Sequence, residues 1–347
     1  MPPLARALTG AAAALLGSAL SVASAHAESV EEFYRGKQIR LIVGNAVGAD
    51  YDLGARLLAR HLARYLPGNP AIVVQNMPGA ASLGAANFIG SVAPKDGTVF
   101  GSVSRNLPSQ AVIGRAALKV DPREFQWVGS SGTNTVVCYV RAASTLRRAD
   151  DLFTRDLIVG GIGSGSTQSM VPTALQRLLG MRFKVVEGYK GNADALVALE
   201  RGEIEGLCSG LSPLRTTHAS LIKEGRIRLL LHSGTAPLPE APDVPSFYDF
   251  AKSEKQQKQQ QILRFLFSND DFGRPYFAPP GIPADRLSAL RAGFAATLND
   301  PALTAEAVRV QLDMTYRPPE ALETFVKELY TTPPDVIREI QEIVPSP

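Results

Sequence analysis

Two stretches of similar sequence decide the fold of this chain: Gly44-Asn45-Ala46-Val47-Gly48-Ala49-Asp50-Tyr51-Asp52 and Gly160-Gly161-Ile162-Gly163-Ser164-Gly165-Ser166-Thr167. Each follows a short strand-like run, at residues 39–43 and 157–159, and each precedes an amphipathic helical pattern. A loop of small residues lets the backbone approach a ligand, and the helix that follows supplies unpaired N–H groups and the positive end of its dipole. We therefore expect two lobes that hold one anionic ligand between them.

The first 27 residues have the pattern of a secretory signal peptide. Arg6 is their only charged residue, residues 7–23 are rich in Ala and Leu, and Ala25-His26-Ala27 offers small residues at a cleavage site. Cleavage after Ala27 would place the mature chain in the periplasm. The alternative, an uncleaved membrane anchor, is disfavoured because the apolar run is short for a membrane span.

Composition limits the partners of the chain. The formal net charge of the 347 residues is +3, and loss of the signal peptide would lower it by one. Such a balance favours neither a nucleic-acid partner nor a strongly acidic one. The remaining length suits two α/β lobes better than a single core. We expect residues 28–131 and 233–347 to form the first lobe and residues 132–232 to form the second, in a monomeric protein.

Strand and helix patterns alternate along the chain, which predicts an α/β fold whose sheets are mostly parallel and flanked by helices. In the first lobe, strand patterns at residues 39–43, 71–75 and 98–103 alternate with helical patterns at residues 52–66 and 81–92. The buried face of the first of these helices is predicted to carry Leu53, Leu57, Leu58, Leu62 and Leu66.

Later segments carry weaker patterns. Residues 213–224 predict one helix that follows the last parallel strand of the second lobe. Residues 252–261 are polar throughout, which predicts a solvated helix, with docking of a partner as the alternative. Pro283, Pro301 and Pro318 each mark the start of a late helix, and we expect these helices to pack on the first lobe.

The two cysteines, Cys138 and Cys208, both fall in strand patterns. An exported chain meets an oxidising compartment in which they can pair, but the sequence does not place their Cα atoms within bonding distance. We favour two buried thiols over a disulfide.

Patterns typical of catalysis and cofactor binding are weak. Gly161, Gly163 and Gly165 resemble a dinucleotide-binding loop, but the third glycine of the G-x-G-x-x-G pattern falls on Ser166. The chain has no G-x-S-x-G motif, and Ser220-Leu221-Ile222-Lys223 lacks the motifs that accompany S-x-x-K in serine enzymes. The histidines after the signal peptide have no metal-ligand spacing. We expect no enzyme, no cofactor and no metal.

Cationic side chains mark three places. Arg105 follows the third strand pattern, at the end where open α/β sheets bind ligands, and a guanidinium there can hold a carboxylate bidentately. Lys190 lies in a further strand–helix loop and can bring a second positive charge. Arg56, Arg60 and Arg64 recur every four residues on one helix face. Such a stripe is usually solvated, and docking on an anionic partner is the alternative.

Several motifs, in the same order, resemble the periplasmic solute receptors of tripartite tricarboxylate transporters, often called Bug receptors. The motifs are Tyr34-Arg35-Gly36-Lys37-Gln38, Asp52-Leu53-Gly54-Ala55-Arg56, Val74-Gln75-Asn76-Met77-Pro78-Gly79-Ala80, Ala93-Pro94-Lys95-Asp96-Gly97-Thr98, Gly188-Tyr189-Lys190-Gly191, Gly202-Glu203-Ile204-Glu205 and Phe277-Ala278-Pro279-Pro280-Gly281-Ile282-Pro283. The resemblance implies a two-lobed, type II-like periplasmic binding fold, with hinge crossings between lobes that close on the ligand.

The resemblance also implies that a small organic carboxylate is pinched between a loop of each lobe and then passed to membrane permease subunits. Carried onto this sequence, the ligand-binding residues are Asn45, Ala46, Val47, Gly48, Ala49, Tyr51, Asp52, Ser104, Arg105, Asn106, Gly132, Thr133, Ser164, Gly165, Ser166, Thr167, Gln168, Tyr189 and Lys190.

The first loop departs from the family pattern. This chain has Ala46-Val47-Gly48-Ala49 where the family often has Pro-Pro-Gly-Gly, and Tyr51 stands where a smaller Thr is common. The sequence therefore supports a carboxylate ligand without naming it. Two alternatives remain open: a ligand-binding input to a membrane sensor, and an exported α/β enzyme such as a hydrolase.

Overall fold

The computed structural model of the chain describes residues 28–163, 166–215, 217–251 and 256–343. The predicted signal peptide lies outside these residues, as do Ser164 and Gly165 among the predicted ligand-binding residues. Each helix in the described part of the chain is too short or too polar to cross a membrane.

The elements follow one another in three groups. The first group is α1 (Val30–Tyr34), β1 (Gln38–Val43), α2 (Asp50–Leu62), β2 (Ala71–Asn76), α3 (Leu83–Ser91), β3 (Val99–Ser102), α4 (Leu107–Val112) and β4 (Gln126–Ser131). The second group is β5 (Val136–Arg141), β6 (Leu157–Gly160), α5 (Thr167–Leu179), β7 (Phe183–Val186), α6 (Asn192–Arg201), β8 (Gly206–Gly210), α7 (Ser212–Arg215), α8 (Ala219–Lys223) and β9 (Ile227–His232). The third group is α9 (Gln257–Phe267), β10 (Arg274–Ala278), α10 (Ala284–Leu298), α11 (Pro301–Arg309), β11 (Tyr316–Arg317), α12 (Pro319–Tyr330) and α13 (Pro334–Ile343).

These strands form two sheets flanked by helices, which confirms the predicted two-lobed α/β fold. The strand order is β11-β4-β10-β3-β1-β2 in the first sheet and β7-β6-β8-β5-β9 in the second. β1 pairs in parallel with β2 and β3, as β6 does with β7 and β8. β10 and β5 are antiparallel to both of their neighbours, so each sheet is mixed, which corrects the prediction of mostly parallel sheets. β5 and β10 are each the first strand after the chain passes from one sheet to the other.

Buried side chains cover both faces of each sheet. In the first sheet, Leu41 and Phe100 face a core shared with α2 and α10, and Ile42 and Val99 face one shared with α3 and α12. The late helices therefore pack on the first sheet as predicted. Along α2, one predicted core residue is misplaced, because Leu53 remains 49% exposed.

Helix α9 corrects the prediction of a solvated helix over residues 252–261, of which residues 252–255 lie outside the described part. Its first half is polar, but Leu263 and Phe267 belong to the core of the second sheet, and Ile262 and Phe265 pack against α12 and α13. The error arose because the predicted range ended one residue before the apolar positions begin. Helix α9 therefore connects the second lobe to the late helices.

Cys138 and Cys208 form a disulfide, which corrects the preference for free thiols. The antiparallel register of β5 and β8 places the two residues directly opposite each other. Sequence alone gives no register between strands so far apart, and for that reason the pairing was not predictable. A second correction concerns residues 213–224, which contain the two short helices α7 and α8 instead of one, with the weak helix formers Thr217 and His218 between them.

Candidate functional site

The first loop, residues 44–49, lies between β1 and α2 and is held at its start by Ser82. The Ser82 hydroxyl donates a hydrogen bond to the carbonyl of Gly44 (3.1 Å) and accepts one from the backbone N–H of Ser104 (3.1 Å). Ser82 thus joins the ends of β1 and β3, where the sequence predicts ligand contacts. Within the loop, the Oδ1 atom of Asn45 is buried and has no hydrogen-bond partner among the described residues.

Asp52, a predicted ligand-binding residue in the first turn of α2, ties the first loop to that helix. Its buried carboxylate accepts hydrogen bonds from the backbone N–H of Gly48 (2.8 Å), from Arg56 Nε (3.0 Å) and from Asn76 Nδ2 (2.9 Å). Burial raises the pKa of Asp52, but these hydrogen bonds lower it by more, and the pKa lies below its ordinary value. Asp52 is therefore an anion at neutral pH, and its described contacts are with the chain itself.

Tyr51 and Arg105 join the first loop to a crossing between the lobes. The Tyr51 hydroxyl accepts a hydrogen bond from the backbone N–H of Arg105 (3.1 Å) and donates one to the carbonyl of Gly273 (3.4 Å). The Arg105 guanidinium lies 3.8 Å from a carboxylate oxygen of Asp270, and its Nε atom is buried without a hydrogen-bond partner among the described residues. The Nε donor is therefore unpaired but shielded, while the Arg105 side chain as a whole keeps 23% of its surface exposed.

In the described part of the second loop, residues 161–163 and 166, Gly163 contacts an acidic side chain from the following strand–helix loop. Glu187 accepts a hydrogen bond from the backbone N–H of Gly163 (2.9 Å). A Cβ atom at Gly161 would lie 2.5 Å from a carboxylate oxygen of Glu187, so a larger residue there would displace this side chain. Ser166 caps α5 by accepting a hydrogen bond from the backbone N–H of Ser169. One N–H of the second loop is thus already bound to a carboxylate.

Other predicted residues are engaged within the protein. Thr133 donates hydrogen bonds from its backbone N–H (3.1 Å) and hydroxyl (3.2 Å) to Asp313, and the N–H of Gly132 donates to Thr315. Lys190 is exposed. The further exposed or partly exposed predicted residues are Ala46, Val47, Gly48, Ala49, Asn106 and Tyr189. Gln168 is buried and donates a hydrogen bond to Asn192 (3.1 Å).

A cavity of about 150 Å³ lies between the two lobes, bounded by α4, α5 and the chain from α9 to β10. It is called the central cavity below. The structure brings together three predicted residues at its wall: Arg105, Asn106 and Thr167. The other polar side chains at its wall are Ser109, Gln110, Asn269 and Asp270. The apolar side chains include Ile113, Met170, Val171, Phe265 and Leu266.

Arg274 is a residue near the site that sequence reasoning missed. Its guanidinium is buried and donates a hydrogen bond to Asp50 (2.7 Å), in the first turn of α2, and another to the carbonyl of Asp313. A Cβ atom on an alanine at Gly54 would come within 2.9 Å of Arg274 Nε. Gly54, in the middle of α2, indicates that another segment packs closely against this helix. Nothing in the sequence identifies that segment as the one with Arg274, 220 positions away.

The arginine stripe on α2 is neutralised within the chain. Arg56 pairs with Asp52 (3.0 Å), Arg60 pairs with Glu306 (2.5 Å), and Arg64 contacts Asp300. These contacts favour an intramolecular role for the stripe over docking of an anionic partner. In the described part of the chain, no group of three or more His, Cys, Asp or Glu residues is arranged to hold a metal ion.

Two mixed α/β sheets with a cavity between them, and with loops at the strand ends on both sides of it, define the class of two-lobed periplasmic binding proteins. The chain matches the sequence profile of the tripartite tricarboxylate transporter family receptor (TctC) over residues 55–341, and it belongs to that family. Receptors of this family are periplasmic and bind solutes, and the family is not one of enzymes.

Three known proteins illustrate the likeness. The UPF0065 protein in the gbd 5′ region of Cupriavidus necator is 26% identical over 250 residues, which are 70% of this chain and 72% of that protein. A TctC solute binding protein from Polaromonas, solved without ligand, has a TM-score of 0.68 at 21% identity, covering 88% of this chain and 99% of that one. MatC from Rhodopseudomonas palustris with bound malate has a TM-score of 0.51 at 21% identity, covering 89% and 99%. At these sequence identities, the structural similarity shows a shared fold and nothing more.

Proposed function

We propose that this chain is a periplasmic receptor that binds a small organic carboxylate between its lobes and delivers it to a tripartite tricarboxylate-type membrane transporter. The observation that carries the proposal is the central cavity, which is lined by both Arg105 from the first lobe and Thr167 from the second. Arg105 Nε lacks a hydrogen-bond partner among the described residues, and guanidinium groups bind carboxylates through strong charge-assisted hydrogen bonds.

The mechanism requires binding and closure only. The ligand carboxylate accepts hydrogen bonds from Arg105, and the lobes close about the crossing strands at which Asn134 and Asp270 meet (3.1 Å). Ligand contacts in both lobes stabilise the closed state, because a ligand shifts a conformational equilibrium by its difference in affinity for the two states. The closed state would then dock on the permease. The malate bound by MatC is an example, on the same fold, of the ligand class that we propose.

The test is thermal unfolding of the chain from Glu28 onward, first unfolded and refolded to remove any ligand bound during expression. Small carboxylates are added one at a time at millimolar concentration. A ligand at about a hundred times its Kd stabilises the folded state by about 2.7 kcal/mol, which raises Tm by several degrees. Stabilisation by one chemical group of acids supports the proposal. Absence of a shift with every acid, or turnover of a bound acid, contradicts it.

A further inference from the structure

We infer that the ligand is an α-amino acid, which carries an ammonium group on the carbon next to its carboxylate and is bound in the central cavity by Arg105 and Asp270 together. This inference rests on the proposed function and names the ligand class within it. Three observations support it: the opposite charges of the two side chains, the short distance between them, and a buried hydrogen-bond acceptor in the same cavity.

The charged side chains that line the central cavity have opposite signs. Among the described lining residues, Arg105 is the cation and Asp270 is the anion, and the other polar side chains are uncharged amides and hydroxyls. The two side chains are mostly buried, with 23% and 14% of their surfaces exposed. This lining has no net charge, so it is complementary to a ligand that carries one charge of each sign.

The distance between the two charges disfavours a plain carboxylate. Arg105 Nε lies 3.8 Å from a carboxylate oxygen of Asp270. A ligand carboxylate that contacts the Arg105 guanidinium therefore comes within a few ångströms of a like charge, which repels it. An ammonium group beside the ligand carboxylate adds an attraction to Asp270. In an α-amino acid the two groups are attached to one carbon, so its charges are as close together as the cavity requires.

Asn269, whose side chain is buried, adds an acceptor to the cavity. Its Nδ2 atom donates a hydrogen bond to the Ser109 hydroxyl (3.1 Å), which itself donates to the carbonyl of Asn106 (2.9 Å). The remaining atom of the amide, Oδ1, is buried and has no hydrogen-bond partner among the described residues. Buried acceptors are normally paired, and an ammonium group supplies three donors. A plain carboxylate supplies acceptors only.

Asp270 also has a structural role, which the test must separate from ligand recognition. Its carboxylate accepts a hydrogen bond from Asn134 Nδ2 (3.1 Å) at the crossing between the lobes. Loss of this contact would change the affinity for every ligand that the closed lobes hold. The informative quantity is therefore the ratio of affinities for two ligands that differ in the ammonium group alone.

Matched pairs of acids provide that ratio: alanine and propionate, leucine and 4-methylpentanoate, and glutamate and glutarate. Their Kd values are measured by titration calorimetry at neutral pH on the chain from Glu28 onward. In each pair that binds, the amino acid is expected to bind at least about tenfold more tightly, because charge-assisted hydrogen bonds to the ammonium replace a like-charge contact. Equal or tighter binding of the acid without the ammonium group overturns the inference and leaves the proposed function standing.

Variants test the cause of the preference. Asp270→Asn removes the anion and is expected to lower the ratio at least about tenfold. Asn134→Ala removes the contact at the crossing but keeps the anion, so it is expected to keep the ratio. Glu224→Gln removes an exposed acid on the second lobe and is the control for a general effect of charge. The ratio in the wild-type chain decides the ligand class even if Asp270→Asn folds poorly.

The possible failures are distinguishable. An unchanged ratio in Asp270→Asn, or an equal fall in Asn134→Ala, overturns the role of Asp270 in recognition. Binding of an acid without an ammonium group, when none of the amino acids binds, overturns the ligand class alone. If none of these six compounds binds, and no acid of the wider panel raises Tm, the proposed function fails and the inference fails with it.

Discussion

The first and second loops each have a backbone N–H bound to a carboxylate of the chain itself, but the two carboxylates are held differently. In the first loop, Asp52 is 1% exposed, lies four positions from Gly48, and is fixed by Arg56 and Asn76. In the second loop, Glu187 is exposed and approaches Gly163 from a separate strand–helix loop.

This difference gives the loops different roles despite their similar sequences. The first loop is a fixed edge of its lobe, because its N–H contact belongs to a buried hydrogen-bond network. The contact at the second loop is weaker, because the Glu187 carboxylate that accepts the hydrogen bond from Gly163 is exposed to water. Stability should therefore respond more to changes that break the Asp52 contact than to changes that break the Glu187 contact.

The largest expected effect comes from breaking the Asp52 network. Asp52→Ala removes the acceptor of three hydrogen bonds, from Gly48, Arg56 and Asn76, and should lower the free energy of unfolding by about 3 kcal/mol, at about 1 kcal/mol for each bond. Glu187→Ala, the corresponding change at the second loop, should alter it by less than about 0.5 kcal/mol. Urea unfolding of the two variants checks this contrast, and similar losses in both would show that the loops are held alike.

A smaller effect, on binding alone, is expected for Arg105→Ala. The variant keeps the backbone N–H that donates a hydrogen bond to the Tyr51 hydroxyl. It removes the charge-assisted contact between the guanidinium and the ligand, so binding should weaken by about 1.5–3 kcal/mol. Titration calorimetry with the acid that gives the largest Tm shift measures the loss. Arg309→Ala, at an exposed arginine away from the central cavity, is the control. An unchanged Kd would place the ligand away from Arg105.

Ser166 and Thr167 are neighbours with different expected roles. Ser166 caps α5, so Ser166→Ala should lower the free energy of unfolding by about 1 kcal/mol. Thr167 lies at the wall of the central cavity, so Thr167→Ala should weaken ligand binding with little change in unfolding. Thermal unfolding without and with ligand separates the two effects, and the reverse pattern would contradict these assignments.

The smallest effect is a change in pH dependence. The pKa of Asp52 is lower in the folded protein than the value of about 3.9 expected when it is unfolded. Its contribution to stability is therefore complete above about pH 4–5 and is lost as the pH falls through the folded pKa. Asp52→Asn should flatten the stability profile in that acidic window. Urea midpoints measured between about pH 2 and 6 check this, and an unchanged slope would exclude Asp52 as a source of the dependence.

Most of the fold was predictable because strong local patterns mark it. The strands β1, β2 and β3 lie where the sequence patterns place them, and Pro283, Pro301 and Pro318 mark the starts of late helices. The errors arose where distant contacts decide the outcome. The register that pairs Cys138 with Cys208 and the packing of α9 between the second sheet and α13 both depend on segments far apart in the sequence.

The sequence indicates some of the residues that line the central cavity and misses others. Arg105 and Thr167 follow from the rule that ligands meet strand ends and helix starts. Phe265 and Asp270 reach the central cavity through a crossing of the chain that leaves no local signal. The contact of Glu187 with Gly163 likewise has no local signal, because it joins two separate strand–helix loops.

The most direct test is a crystal structure of the chain grown with the acid that stabilises it most. The ligand is predicted to lie between the lobes, with a carboxylate oxygen about 2.7–2.9 Å from the Arg105 guanidinium and with its body beside Thr167 and Met170. A ligand bound outside the central cavity, or one held in the cleft without contact to Arg105, would contradict the central role of this cavity in binding.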